Sequence, residues 1–530
     1  MKKTYKFSIS FLMLFVVFTL SSCLKDLNQE PTIEVTSAAV YKDPSNYIKV
    51  LAKLYSGLAT SGQQGPSGKA DLAGLDEGFS QYARLYWKLQ ELPTDEAVCG
   101  WRDGTLPDFH TMTWTPSNEF IRTFFARVYY QITLCNEFIR ETTDEKLKDR
   151  GVVAALANDI KAFRAEARFL RALSYYHAMD FYGNVPFVTE ADAPGSFFPI
   201  QKDRAFIYNY VESELKAIDG DLNAPRAVYG RADKACAWAL LAKLYLNSEV
   251  YIAQKKYTEA ITYSKKVIDA GYILNAKYET LFMADNNTSK EIIFSIQSDG
   301  LNTRTWGGTT FMVNAPIGGS MSSAEFGVKG GWGGLRTTSA FVTKFDEIDI
   351  NRKGDLRANF HTDGQNREIE DMFTFKDGYA IKKFKNVTST GKVGSDPTGT
   401  HPDTDFPLLR LADFYLVYAE AVLRGGSGGD RATALNYVNL LKTRSSATTI
   451  ADKDLNLDFI LDERARELYW EAQRRTDLIR FNKFTTGTYL WPWKGNAKEG
   501  KAVGDHMNLY PIPADDLASN KNLKQNDGYN

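Results

Sequence analysis

The chain has 530 residues, with 64 Lys and Arg against 65 Asp and Glu, for a formal net charge of -1 at pH 7. That balance gives no electrostatic reason to expect nucleic acid or an acidic membrane surface as a ligand. With 43% hydrophobic residues, the chain can bury a sizeable core without staples.

The N-terminus carries Lys2 and Lys3, an apolar stretch from Phe7 to Leu20, and then Leu20-Ser21-Ser22-Cys23. This is the pattern of a bacterial lipoprotein signal, in which residues 1–22 are removed and Cys23 becomes the lipidated first residue. Several acyl chains, at ~0.8 kcal/mol per buried methylene, hold a protein on a membrane far better than one. Residues 23–40 then read as a tether that begins with the polar run Leu24 to Asn28, and residues 41–530 as one domain. No later segment approaches the ~20 apolar residues needed to cross a bilayer as a helix. With Cys23 used by lipid, Cys99, Cys135 and Cys236 remain. Their odd number and lack of metal-ligand spacing argue against a disulfide framework, leaving one bridge open in an oxidising compartment.

Several segments show helical periodicity, and they come in pairs. In Asp159 to Phe181 the residues Ile160, Phe163, Ala167 and Leu170 form one apolar stripe, and Gly183 and Pro186 end it. Thr123 to Glu141 is its expected partner. Arg231 to Leu246 pairs with Tyr257 to Ala270: Ala235, Ala237, Ala239 and Ala242 let a second helix approach, and Tyr257, Ala260, Ile261, Val267 and Ile268 share a face. KYTEAITYSKKVID resembles the second helix of a tetratricopeptide repeat, with an inter-helix connection longer than the ~34-residue consensus allows. A further hairpin is expected at Leu411 to Arg424 with Arg431 to Arg444. The fold class is therefore mostly α, helical hairpins supporting a loop-rich region with short strands.

That region runs from about 281 to 409, where Gly, Ser, Thr and Asn rise and helical periodicity vanishes. Glu291 to Gln297 reads as a strand. Gly307-Gly308, Gly318-Gly319 and the run Gly330 to Gly334 read as mobile or sharply turned backbone displaying Trp306 and Trp332. Loops on a rigid frame are where binding groups tend to sit.

An enzyme reading finds little support. A glycosidase needs two carboxylates flanking the bond at a set separation. Glu463, Glu467 and Glu471, spaced by four and interleaved with Arg464, Arg466, Arg474 and Arg475, read as a salt-bridged helical face. Adjacent Asp95 and Glu96 diverge in any regular element and read as ordering a loop. None of the five histidines (His110, His177, His361, His401 and His506) has a partner at i, i+4, and HExxH, CxxC and GxxxxGK[ST] are missing. No cofactor is expected. Calcium stays open through acidic loops such as Asp346 to Asp349 or Asp403 to Asp405.

Four blocks, AEARFLRALSYYHAMDFYGNVPFV, DTDFPLLRLADFYLVYAEAVLRGG, LDERARELYWEAQRRTDLIRF and NLYPIPADDLASNKNLKQNDGY, stand in this order. With ELPTDEA and HTMTWTPSN they resemble the SusD/RagB-like outer-membrane lipoproteins of Bacteroidetes across nearly the whole mature chain. The resemblance implies four tetratricopeptide-like units, a place on the outer face of the outer membrane, a SusC-like TonB-dependent transporter as partner, and an oligosaccharide or polysaccharide as cargo. The expected mechanism is capture and hand-over without catalysis. Sugar rings carry apolar C–H faces, so they stack on tryptophan or tyrosine while polar side chains take the hydroxyls. Trp101 in CGWRDGTLP, Trp306 in TRTWGGTT and Trp332 in GGWGG suit that role best, each flanked by residues that cannot form an apolar stripe. The resemblance points to the same loops and makes Asp76 and Arg84, in LDEGFSQYAR, candidate hydroxyl partners. The competing readings are that Trp101 caps the core, that Trp332 plugs a turn, and that Asp76 and Arg84 pair with each other. Trp87, Trp114 and Trp238 are expected in the core. Two other functions fit the same frame: a lid for a non-glycan cargo such as peptide, or a repeat scaffold that binds only protein.

Overall fold

The computed structural model describes residues 37–192, 195, 197–345 and 354–529. The signal segment, Cys23, the run 24–28 and Asp346 to Asp349 lie outside the described residues. In chain order, the main elements of the first half are α1 (Asn46–Ala59), α2 (Tyr82–Glu91), α3 (Glu119–Glu141), α4 (Ala154–Tyr182), α5 (Arg204–Ala217), α6 (Lys234–Leu246) and α7 (Tyr257–Ile268). They are followed by β1 (Ile292–Ile296), α8 (Gly308–Asn314), β2 (Phe406–Arg410), α9 (Leu411–Leu423), α10 (Arg431–Arg444), α11 (Leu457–Leu468) and α12 (Arg474–Arg480).

The helices start where short polar side chains satisfy free backbone donors. Asn118 accepts from the N–H groups of Phe120 and Ile121, Asp233 from those of Ala235 and Cys236, and Asp430 and Asn456 cap α10 and α11. At the other end of α4, Gly183 takes φ 70°, a conformation that costs glycine little.

The expected hairpins form: α3 packs on α4, α6 on α7 and α9 on α10. They also pack on one another, α4 against α5, α7 against α9 and α9 against α11. Ala235, Ala239 and Ala242 on α6 and Ala260 on α7 are all fully buried, so the two backbones approach closely. His177 lies in the interior, its Nδ1 2.9 Å from the Tyr82 hydroxyl and its ring 4.2 Å from that of Tyr86. Cys99, Cys135 and Cys236 are free and buried. The expected strand forms as β1 and pairs antiparallel with β2, Ile292 opposite Arg410 and Ile296 opposite Phe406. No helix among the described residues is long and apolar enough to cross a membrane.

The row of glutamates differs from expectation in its partners. Glu463, Glu467 and Glu471 are buried, and their cations come from other elements. Arg410 lies 2.6 Å from both Glu467 and Glu471 and 3.0 Å from Glu291. Arg357 reaches Glu463 at 2.7 Å and Glu467 at 3.0 Å, Lys383 reaches Glu471 at 2.7 Å, and Arg444 contacts Glu467 and Glu291. Of the four neighbouring arginines only Arg466 pairs within the row, with Glu463. Arg464 pairs with Asp413 and Asp477, Arg474 with Asp95, and Arg475 with Asp180. A spacing of four places three carboxylates on one face but does not say whether that face meets water or the core. Burial disfavours the charge on Glu467, yet Arg444, Arg410 and Arg357 together hold its carboxyl well below the usual range.

Removing one partner of a buried charge cluster leaves the others uncompensated. Arg410→Ala is expected to destabilise the protein by about 3–5 kcal/mol in urea unfolding; a loss under about 1 kcal/mol would assign the cluster no structural role.

Candidate functional site

The three candidate tryptophans, far apart in sequence, come together. The link is a short antiparallel pairing of Val98–Cys99 with Leu335–Arg336, extended by the Gly100 N–H donating to the Gly334 carbonyl at 2.9 Å. This sets CGW beside GGWGG. The Trp332 N–H donates to the carbonyl of Asn314, the last residue of α8, and the Gly334 N–H to that of Ala315. Trp306 stands just before α8, so this short helix spaces two of the three rings. Gly307 and Gly308 therefore lead into a helix, Gly308 at φ 51°, and are not simply a loop.

Trp332 is the middle ring. Its centroid lies 6.2 Å from that of Trp101 with 47° between planes, and 6.2 Å from that of Trp306 with 56°. The Trp101 indole N–H donates to the Trp332 carbonyl at 3.3 Å. All three side chains are half-buried. The row is rooted below: Trp101 meets Phe311 edge-on at 5.9 Å, Phe311 meets the buried Trp87 at 5.4 Å, and Trp87 meets the buried Trp470 at 5.4 Å. At the other end, His401 stands 5.1 Å from Trp306, and burial lowers its pKa.

Arg84 and Asp76 join this group without forming a pair. Arg84, on α2, is buried and donates from Nη1 to the carbonyls of Gly78 at 2.8 Å and Trp306 at 3.1 Å. Its guanidinium sits 4.5 Å from the Phe311 centroid, and burial brings its pKa down to about 10. The exposed Asp76 accepts from the Phe79 N–H at 3.1 Å. Both converge on Gly78, where a Cβ would stand 3.1 Å from Asp76 Oδ1, 3.1 Å from Trp306 Cβ and 3.6 Å from Arg84 Nη1. Buried Glu77 accepts the Trp306 N–H at 3.3 Å, and burial raises its carboxyl pKa. Phe311, His401 and Glu77 carry no sequence signal of their own; only proximity in space reveals them.

The segment leading to Trp101 is held from below. Asp95 accepts from Arg474 Nε at 2.8 Å and from the Tyr489 hydroxyl at 2.6 Å, and Glu96 accepts the Trp470 N–H at 3.2 Å. The two carboxylates thus order a loop as expected, though in the interior. Burial pushes Glu91 up to about 7, and burial followed by the Glu91 charge pushes Glu96 well above its ordinary value.

Among the remaining residues, Trp87 and Trp114 are in the core as expected, while Trp238 is half-buried at the surface. Asp403 accepts from the Gly300 N–H and Ser395, and Asp405 from the Ser298 N–H and Tyr229. Among the described residues no group of three or more His, Cys, Asp or Glu is placed to hold a metal ion.

A frame of helical hairpins carries this row of three rings, an arc about Trp332, on its irregular side, and loops on a rigid frame are where binding groups tend to sit. Residues 79–246 match a family described as starch-binding associating with outer membrane, and residues 365–529 match the SusD family. The starch-binding protein SusD of Bacteroides thetaiotaomicron is 36% identical, with 96% of each chain covered. A SusD-like protein of Bacteroides ovatus is 25% identical over 71% of this chain and 68% of its own. A solved SusD-superfamily protein of Parabacteroides distasonis superposes with a TM-score of 0.70 at 22% identity, covering 94% and 100% of the two chains. Surface glycan-binding protein A of Bacteroides thetaiotaomicron gives 0.70 at 20% identity, covering 92% and 100%. This chain belongs to the SusD family.

Two variants test the geometry. A Cβ at Gly334 would lie 2.3 Å from the Trp101 ring, so Gly334→Ala should change the near-ultraviolet circular dichroism while leaving the far-ultraviolet spectrum intact; an unchanged near-ultraviolet spectrum would show that Trp101 does not seat there. Glu91 binds its proton more tightly folded, at about 7, than at its ordinary 4.5. The stability this gives is present below 4.5 and is lost as pH rises through about 7. Glu91→Gln, which cannot ionise, should therefore gain stability relative to the unchanged protein between about pH 5 and pH 8 in paired denaturation curves. A pH-independent difference would refute the assignment.

Proposed function

We propose that the protein captures an α-glucan of the starch type at the outer face of the outer membrane. It is tethered there through lipid on Cys23 and passes its cargo to a SusC-like TonB-dependent transporter. SusD-family proteins bind carbohydrate and are not enzymes, and the matched family associates with the outer membrane. The observation that carries the choice of glycan is that successive rings are not coplanar, with 47° and 56° between their planes. A chain of α-linked glucose curves as it winds, presenting C–H faces that rotate from one sugar to the next, whereas a flat ribbon glycan favours coplanar rings. Asp76, with Arg84 behind it, stands beside the Trp306 end of the arc to take hydroxyls. Arg84 holds the Gly78 and Trp306 carbonyls from beneath and so positions that end of the arc. The 36% identical relative is named as starch-binding, which agrees with this reading. Hand-over favours moderate affinity, because cargo held too tightly cannot leave.

The test is affinity electrophoresis through gels containing amylopectin, a β-glucan or a xylan. Amylopectin is expected to retard the protein, and Trp332→Ala, which removes the middle ring, to weaken binding about tenfold, on the order of 1.4 kcal/mol. Retention by the β-glucan alone would overturn the choice of glycan. Retention by none would move the cargo outside carbohydrate.

A further inference from the structure

Trp238 stands on α6 among residues buried almost without exception: Ala235, Cys236, Ala237, Ala239 and Leu240 are each 0–1% exposed. Trp238 itself is half-buried. Its indole N–H donates to Asp219 Oδ1 at 2.5 Å, which fixes the orientation of the ring. The ring lines a shallow cleft of about 730 Å³, together with Thr262, Lys265, Lys266 and Asp269 of the α7 side and Gly271. Thr262, Lys265, Lys266 and Asp269 are all exposed. The Lys266 ammonium lies 5.5 Å from the Trp238 centroid and 4.8 Å from that of Tyr263. A long exposed lysine can swing off a ring without disturbing the core.

An oriented indole in a concave surface, ringed by a hydroxyl, a carboxylate and ammonium groups, is the set of groups a pyranose uses. Its C–H face lies on the aromatic ring and its hydroxyls reach the polar rim. None of these residues belongs to the arc of Trp101, Trp306 and Trp332, and no loop of the irregular region takes part.

We propose that this cleft is a second glycan subsite, taking a sugar unit of the same polymer that the arc holds. The proposal rests on the glycan-capture reading and deepens it. Two weak sites on one chain hold a polymer through avidity while leaving each contact easy to break, which suits a protein that must release its cargo. A short oligosaccharide that engages one site at a time gains no avidity, so its affinity is set by the stronger site, the arc.

The experiment compares the full-length protein with Trp238→Ala and Thr262→Arg. The second variant fills the cleft from an exposed helix position and leaves the core untouched. Polymer binding is read in amylopectin gels, and binding of a short malto-oligosaccharide by calorimetry. Either substitution should weaken polymer retention by about tenfold and leave the oligosaccharide affinity of the arc, the stronger site, unchanged. In a Trp332→Ala background, either should abolish whatever retention is left. Full polymer retention by both variants overturns the second subsite. Full retention accompanied by weaker co-purification of the transporter overturns it in favour of a protein contact. If Trp332→Ala also has no effect, the capture reading has failed, a result distinct from failure of the cleft alone.

Discussion

The architecture depends on a buried group of charges centred on Arg410. An ion taken out of water costs several kcal/mol unless it is paired and hydrogen-bonded, so every element contributing to the group must be in place for any to be tolerable. Those elements are widely separated: Glu291 before β1, Arg410 at the end of β2, Arg444 on α10, Glu463 and Glu467 on α11, Glu471 in the turn beyond it, and Arg357 and Lys383 from the irregular region. The cluster therefore fastens the irregular half of the chain to the helical half.

The turn after α11 carries that constraint to the site. Trp470 and Ala472 adopt φ 61° and 59°, unfavourable for residues with a Cβ and held by their surroundings. Glu471 between them is locked by Arg410 and Lys383. Trp470 is thereby presented to Trp87 and to the Glu96 carboxylate, and Arg474 just beyond it holds Asp95. The segment 95–101 then rises from a fixed base to Trp101. Glycine-rich loops that carry side chains used in binding are costly to order when they are free. Here backbone pairing and a packed aromatic root do the ordering in advance.

Helices were legible in the sequence where periodicity and caps agreed. Asp233, Asp430 and Gly183 bound their helices within a few residues of the expected positions. The strand before Gln297 was legible too, but not its partner Phe406–Arg410, because the pairing of distant strands leaves no local pattern. Trp101, Trp306 and Trp332 stood out as tryptophans that no apolar stripe could absorb. That they share one arc could not be read, since it depends on a two-residue pairing between segments more than two hundred positions apart. Trp238 misled in the opposite direction: an alanine-rich helix reads as core all round, and only the packing of α7 shows which side stays open.

The sequence by itself determined the class of fold, which follows from short-range periodicity, and it singled out Trp101, Trp306 and Trp332 by the glycine-rich contexts that keep them off any apolar stripe; the family was legible only through the resemblance of its blocks. Only the tertiary structure decided that Glu463, Glu467 and Glu471 face inward, that Arg84 and Asp76 converge on Gly78 without pairing, and that Trp101 and Trp306 both stand against Trp332. Each of those outcomes is a long-range contact, set by which surfaces bury together, and burial is a property of the whole folded chain and not of any one segment.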